Sequence, residues 1–171
     1  MSIPASLLKK LVQIPIFQGL TVPEAAEFFE VALEQELEKG RTLFREGDEG
    51  DALYVILGGE VAVTKKNVEL ASLSTHAVLG EMSVVSPGDA RSATATAKTD
   101  VAVLKIPSKR VQKLIKADNL ASLKVVANLA QVMAQRLAAI NDRLVGDSKK
   151  KGEGKREELA EFAGILNRWS F

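Results

Sequence analysis

Apolar residues between positions 41 and 106 recur at about every second residue, in short runs rich in Val, Thr, Leu and Tyr. Such runs predict β-strands, because the side chains of a strand point alternately to its two faces. Turn-forming sequences separate the runs, most clearly at 47–51 and at Gly58-Gly59. Short strands joined by regularly spaced turns predict a compact antiparallel β-sandwich or jelly roll over 41–107.

Helical patterns flank this region on both sides. We predict N-terminal helices over 1–40, the second of them running to about Lys39 and stopped by Gly40. Thr21 and Glu24 have the spacing of a capping box, which marks the start of that second helix. Two further helices are predicted over 108–145, a short one followed by a long one.

The long helix is predicted from about Leu120 to Leu144, because its apolar residues recur at spacings of three and four. They form a continuous stripe of Val126, Leu129, Met133, Leu137, Ile140 and Leu144. The stripe has two interpretations that the sequence leaves open. It packs on its own β domain, or it pairs with the same helix of a second copy in a homodimer.

The end of the chain divides into two further segments. Residues 146–158 contain no apolar side chain and predict a polar linker. Residues 159–171 predict a short amphipathic helix that carries the only Trp, Trp169. We expect this tail helix to contact a protein partner, with docking on its own domain or on a second copy as the alternative.

Composition narrows the possible chemistry. The chain has no Cys and a single His, His76, so disulfides, thiol catalysis and multi-histidine metal centres are not expected. We predict no catalytic residues, no metal and no enzyme activity. Lys and Arg number 23 against 22 Asp and Glu, a balance that argues against a nucleic-acid coat protein. No apolar run has the length of a membrane span and no signal peptide is evident, so a cytoplasmic location is the default expectation.

Residues 79–94 contain the candidate ligand-binding residues of the chain. A Gly80-Glu81 pair precedes a short apolar turn, and Arg91-Ser92 enters a strand after a Pro-Gly loop. A helical turn here directs free backbone N–H groups at an anion, and a guanidinium matches phosphate oxygens. The Glu81 carboxylate can accept a hydrogen bond from a sugar hydroxyl. These residue types predict a pocket for a small phosphorylated ribose, and a plain Glu81–Arg91 ion pair is the alternative.

The same segment resembles the phosphate-binding cassette of the cyclic nucleotide-binding domain family, which includes the sensor domains of the bacterial catabolite activator and of the regulatory subunit of cyclic AMP-dependent protein kinase. Residues 40–63 resemble the first strands of that family, and the resemblance covers roughly residues 7–145. It implies a mainly β fold with flanking α-helices, an antiparallel β jelly roll or double-stranded β-helix.

The resemblance also implies a set of residues that bind the ribose and the cyclic phosphate: Gly80, Glu81, Met82, Ser83, Arg91 and Ser92. Gly80 and Glu81 would meet the ribose 2′-hydroxyl, and the backbone near Met82 would meet the phosphate. Ser at position 92 favours cyclic AMP as the ligand, with cyclic GMP as the alternative.

Alignment of the long helix with the family implies that Arg136 stacks on the base and that Asn141 hydrogen-bonds its edge. The alternative is that Arg136 is an ordinary solvated side chain and Asn141 an ordinary residue near a helix end. Ile140 stands where the catabolite activator has a Thr that contacts adenine, so the base selectivity is left open.

The predicted function is a stand-alone cyclic nucleotide sensor, in which the ligand moves the C-terminal helix and so signals to a protein partner. The segment after Leu144 is too short for the helix-turn-helix domain found in DNA-binding members of the family, so direct DNA binding is not expected. The alternative is a scaffold or interaction module that has the same fold and uses no nucleotide.

Overall fold

The computed structural model describes the backbone of residues 3–150, and their side chains except at 136, 139, 140 and 142–150. The chain divides into two compact units within its last described helix, one ending at Leu129 and one beginning at Ala130. In chain order the described elements are α1 Ala5–Leu11, a single 3-10 turn Pro15–Phe17, α2 Val22–Phe29, β1 Leu33–Leu37, β2 Thr42–Phe44, β3 Ala52–Gly58, β4 Val61–Lys65, β5 Val68–Leu73, β6 Val78–Leu79, α3 Met82–Val85, β7 Thr94–Ala97, β8 Val101–Pro107, α4 Ser108–Lys116 and α5 Leu120–Lys150.

The described strands form two four-stranded sheets in the first unit. Their orders are β1-β8-β3-β6 and β2-β7-β4-β5, and every pair of neighbours is antiparallel. Consecutive strands change sheet repeatedly, as in a jelly roll. The predicted mainly β fold with flanking helices is therefore confirmed, and the predicted tail helix lies outside the described residues.

Strand β3 explains where the core lies. Its residues 52–56 are all buried, which is typical of a strand covered on both faces. Ala52, Tyr54 and Ile56 pack in a cluster between the sheets with residues of β8, among them Val101 and Val103. The opposite faces of β3 and β8 are covered by α4. The roll is thus held by apolar burial on both sides of its central strands.

Helix α2 begins as the sequence predicts. The Thr21 hydroxyl accepts from the Glu24 N–H at 3.4 Å, and a Glu24 carboxylate oxygen accepts from the Thr21 N–H at 2.8 Å. The predicted capping box is therefore confirmed. The helix buries Phe28 and Phe29 against Phe17, with ring centroids 4.8–5.9 Å apart in tilted or edge-on arrangements.

The prediction that this helix runs to about Lys39 is wrong. Helix α2 ends at Phe29, and Leu33–Leu37 is the edge strand β1, paired with β8 from Leu33 opposite Lys105 to Leu37 opposite Val101. The segment LEQEL consists largely of residues that favour a helix. The open edge of β8 nevertheless provides hydrogen-bond partners for its backbone, and Leu37 packs against the core. The predicted N-terminal helical segment 1–40 therefore includes a strand.

Helix α5 is longer than predicted. It continues to Lys150, so the first five residues of the predicted linker 146–158 are helical. The sequence there contains Lys, Asp and Ser, which a helix tolerates, and the single Gly146 costs a helix only about 1 kcal/mol. The rest of the predicted linker and the predicted tail helix 159–171 lie outside the described residues.

The first turns of α5 are fixed to the N-terminal segment within the first unit. Val125 and Leu129 are buried there. The Asn128 amide donates to the carbonyl oxygens of Ile16 and Gln18, at 3.3 and 2.7 Å, and the Lys124 ammonium donates to both carboxylate oxygens of Glu24, at 2.8 and 2.9 Å. Leu129 of the apolar stripe therefore packs on its own domain.

Candidate functional site

Gly80, near the start of the cassette, occupies a position that has no room for a side chain. Gly80 lies between β6 and α3 with φ of +75°, a left-handed conformation that L side chains rarely adopt. A Cβ at this position would lie 2.4 Å from Arg91 Nη1 and 2.8 Å from the carbonyl oxygen of Ala52. The absence of a side chain at Gly80 thus makes room for the guanidinium of Arg91.

The Arg91 side chain is buried and held by three oxygen atoms. The residue is 6% exposed. Its Nη2 donates to the carbonyl of Ala52 at 2.8 Å and to Asp51 Oδ1 at 3.0 Å, and its Nη1 donates to the carbonyl of Gly80 at 3.4 Å. These acceptors come from the start of β3 and from the cassette turn, so they fix the guanidinium between the two.

Aromatic rings cover the same guanidinium. Its Cζ lies 4.3 Å from the ring centroid of Phe44 and 5.7 Å from that of Tyr54. The Nε–H of Arg91 is buried and has no acceptor among the described residues. A buried donor without an acceptor costs about 1–3 kcal/mol, so an anion oxygen at this point would remove an existing penalty.

Asp51 links Arg91 to a second cation. Its Oδ2 accepts from the Lys105 ammonium at 2.6 Å while its Oδ1 accepts from Arg91. Burial raises the pKa of Asp51, but the hydrogen bond and charge of Lys105, followed by those of Arg91, outweigh it and lower that pKa below its usual value. Asp51 is therefore ionised at neutral pH and orients both cations.

Backbone hydrogen bonds hold the loop before β3 against the cassette. The Gly50 N–H donates to the carbonyl of Asp89 at 2.9 Å, and the Arg91 N–H donates to that of Asp48 at 2.7 Å. The Arg91 carbonyl in turn accepts from the Gly47 N–H at 2.9 Å. The sequence predicts only a turn at 47–51, and the structure shows that this turn also supplies Asp51 to the site. Its Gly-Asp repeat is the signal that marks it.

The other predicted cassette residues surround this arginine. Ser83 is buried, and both its hydroxyl and its N–H donate to the carbonyl of Gly80, at 2.8 and 3.1 Å. Glu81 and Met82 are half-buried where α3 begins, and Ser92 is exposed beside Arg91. The structure therefore brings the six predicted cassette residues to one place in the roll.

The two residues predicted to contact the base, Arg136 and Asn141, do not lie in the cassette. Arg136 and Asn141 lie on α5 beyond Leu129, in the second unit. The side chain of Arg136 lies outside the described side chains, and Asn141 is half-buried. Their contact with a base stays a prediction.

The described residues contain no cluster of three or more His, Cys, Asp or Glu side chains suited to a metal ion. None of the described helices is long and apolar enough to cross a membrane. A shallow groove of about 640 Å³, lined among others by Glu36, Glu38 and Asp100, contains none of the cassette residues. The candidate site in the cassette therefore lies apart from this groove.

Comparison with known proteins agrees with this location. The family model described as "Cyclic nucleotide-binding domain" matches residues 34–118, a range that contains the whole cassette and both β-sheets apart from Leu33, the first residue of β1. The chain belongs to the cyclic nucleotide-binding domain family. Its predicted membership, and the β-roll fold that goes with it, are thereby confirmed.

Relatives place the domain in proteins of different kinds. The chain is 33% identical over 135 residues to a cyclic AMP receptor protein of Thermus thermophilus, covering 72% of this chain and 57% of that protein. It is 29% identical over 136 residues to glutaminase 1 of Bradyrhizobium diazoefficiens, covering 79% of this chain and 22% of the relative. The chain spans from 22% to 60% of the length of curated relatives that it matches.

A solved cyclic nucleotide-binding domain from Methylobacillus flagellatus has the same fold. The TM-score is 0.75 and the identity 23%, with 90% of each chain covered. At this level of identity the likeness concerns the fold alone.

Proposed function

We propose that this domain is a sensor that binds a cyclic nucleotide, cyclic AMP in the first place, in the cassette 79–94. The observation that carries the proposal is the buried Arg91, oriented by Asp51, Ala52 and Gly80 and left with one buried N–H that has no acceptor among the described residues. A phosphate oxygen is an acceptor that matches the charge and the planar fork of a guanidinium.

The neighbouring cassette residues suit the rest of the ligand. The hydroxyl of Ser92 is exposed beside Arg91, where it can donate to a second phosphate oxygen. Glu81 is the N-cap residue of α3 and provides the carboxylate for the ribose 2′-hydroxyl. Gly80 leaves the space that the Arg91 guanidinium occupies, because a Cβ there would lie 2.4 Å from Nη1.

Cyclic AMP is the favoured ligand on two grounds. Ser occupies position 92, and one relative of this chain is named a cyclic AMP receptor protein. The adenine contacts in this proposal are stacking of Arg136 and a hydrogen bond from Asn141. Cyclic GMP is the competing ligand in the same pocket.

Signalling in this proposal runs through α5. The Lys124 and Asn128 hydrogen bonds fix its first turns to the N-terminal segment, so a change in the position of α5 is shared by that segment. Leu120 and Leu123 are exposed on the same turns and suit a protein partner. Residues 159–171 are the second proposed contact with that partner, and a homodimer through α5 is the alternative assembly.

A scaffold that uses no nucleotide is the second candidate. It is favoured by the three internal acceptors that Arg91 already has, because a purely structural arginine would be held in the same way.

A thermal-shift panel distinguishes the two candidates. Cyclic AMP, cyclic GMP and non-cyclic 5′-AMP are each added to the wild-type chain and to Arg91→Lys, which keeps the charge but loses the planar fork. At a hundredfold excess over Kd, cyclic AMP should stabilise the wild type by about 2.7 kcal/mol, a rise in Tm of roughly 5–10 °C. Arg91→Lys should lose most of that rise, and 5′-AMP should give little. No shift with any of the nucleotides would favour the scaffold.

A further inference from the structure

Lys105 lies on the inward side of its strand. Strand β8 alternates, and position 105 shares a face with Val101 and Val103, both buried in the cluster between the sheets. In register it lies opposite Tyr54 of β3, another member of that cluster. A lysine is rare on such a face unless it has a partner, and the Lys105 side chain is only 28% exposed.

Its partner is the carboxylate that also holds the cassette arginine. Lys105 Nζ lies 2.6 Å from Asp51 Oδ2, and Arg91 Nη2 lies 3.0 Å from Asp51 Oδ1. Burial lowers the pKa of Lys105, but the hydrogen bond to Asp51 and the neighbouring Tyr54 and Asp51 charges outweigh it and raise that pKa. One carboxylate is thus shared by the Lys105 ammonium and the Arg91 guanidinium.

The charges of Arg91, Asp51 and Lys105 affect which ligand this part of the cassette attracts. Arg91 and Asp51 alone form a neutral pair, so the carboxylate would cancel the charge that a phosphate needs. Lys105 adds one positive charge and takes up the second oxygen of Asp51. The three charges of Arg91, Asp51 and Lys105 then sum to one positive charge, and a cyclic phosphodiester carries one negative charge.

We propose that Lys105 is a positioning residue for phosphate binding, which acts through Asp51 to leave the charge of Arg91 available to a singly charged phosphate. The inference rests on the proposed function and adds to it a residue outside the cassette. Lys105 touches Asp51 and lies 5.8 Å from the Tyr54 ring, so its effect on the ligand is indirect.

The test is a double-mutant cycle on the full chain, with cyclic AMP as the titrant in calorimetry. Lys105→Met should weaken binding about tenfold, the size of one pairwise coupling, and Lys105→Arg should restore it to within about threefold of wild type. In an Asp51→Asn background, Lys105→Met should change Kd by less than about threefold, because the carboxylate through which Lys105 acts is gone.

Lys98→Met is the matched control. Lys98 also forms ion pairs, with Glu60 and Glu69, and it is 40% exposed. The same charge is removed there without touching Asp51, so Kd should stay within about twofold of wild type. Urea unfolding of every variant separates binding from stability.

The outcomes are distinct. No binding by the wild type overturns the proposed function and this inference with it. Binding by the wild type with an unchanged Kd in Lys105→Met overturns this inference alone, since Lys105 is then structural. Equal weakening in both Asp51 backgrounds, or equal weakening by Lys98→Met, also overturns it, because Lys105 then acts directly or through general charge.

Discussion

Substitution of Gly80 by Ala tests the packing of the cassette arginine. The new Cβ would lie 2.4 Å from Arg91 Nη1 and 2.8 Å from the carbonyl oxygen of Ala52, both closer than real Cβ contacts. The guanidinium can move away, whereas the backbone oxygen of the buried strand β3 cannot. Gly80→Ala should therefore fold with Arg91 displaced from its three acceptors.

The expected loss in the free energy of unfolding has two parts, and the effect on ligand binding is separate from both. A left-handed conformation costs a non-glycine residue roughly 1–2 kcal/mol, and overpacking adds about 1–3 kcal/mol. Displacement of Arg91 removes a charge-assisted hydrogen bond to the ligand, worth about 1.5–3 kcal/mol, which corresponds to a Kd roughly ten- to a hundredfold higher.

Gly19→Ala separates the two parts. Gly19 has φ of +78°, nearly that of Gly80, but a Cβ there meets nothing within 4 Å. Urea unfolding should show only the backbone cost in Gly19→Ala and the additional overpacking in Gly80→Ala. Calorimetry with cyclic AMP should show a weakened Kd in Gly80→Ala alone. Equal losses of stability together with wild-type affinity in both variants would refute the role assigned to Gly80.

Three further predictions concern stability. Thr21→Ala should lower the free energy of unfolding by about 1 kcal/mol in urea titrations, while Thr21→Ser, which keeps the capping hydroxyl, should not; equal loss in both would contradict the capping role. Asn128→Asp should destabilise by about 2 kcal/mol, because a carboxylate replaces the amide that donates to two carbonyl oxygens; unchanged stability would mean that these bonds contribute nothing. Burial raises the pKa of Asp51, but Lys105 and Arg91 lower it below the ordinary value of 3.8. The stability that Asp51 contributes should therefore be complete above that value and lost as the pH falls through the lower folded-state pKa. Acid unfolding should accordingly be less steep in Asp51→Asn, and an identical pH profile would contradict the assignment.

The parts of the fold that the sequence predicts are those with strong local signals. The runs that became β3, β4 and β8 alternate or are continuously apolar, and the capping box fixes the start of α2. Strand β1 has no such signal, because Leu, Glu and Gln at 33–37 suit a helix and only the edge of β8 makes them a strand. The two-residue β6 is too short to have a pattern.

Some residues of the site are likewise predictable from the sequence, and others are not. Residues 79–94 are contiguous, so their residue types already indicate a phosphate pocket. Asp51 and Lys105 are separated from Arg91 in sequence, and only the pairing of β3 with β8 and the loop packing before β3 bring them together. The Gly-Asp repeat marks the turn that carries Asp51, whereas a lysine at an inward position of β8 has meaning only once the strand register is known.

In the proposed complex, the Arg91 Nε–H donates a hydrogen bond to an oxygen of the nucleotide phosphate. The most direct measurement follows that N–H by ¹H–¹⁵N NMR of the full chain, with the resonance assigned by its loss in Arg91→Lys. On titration with cyclic AMP, the resonance should shift and its exchange with water should slow, since the proton gains an oxygen acceptor. An Nε–H resonance that stays unchanged at saturating cyclic AMP would contradict the account.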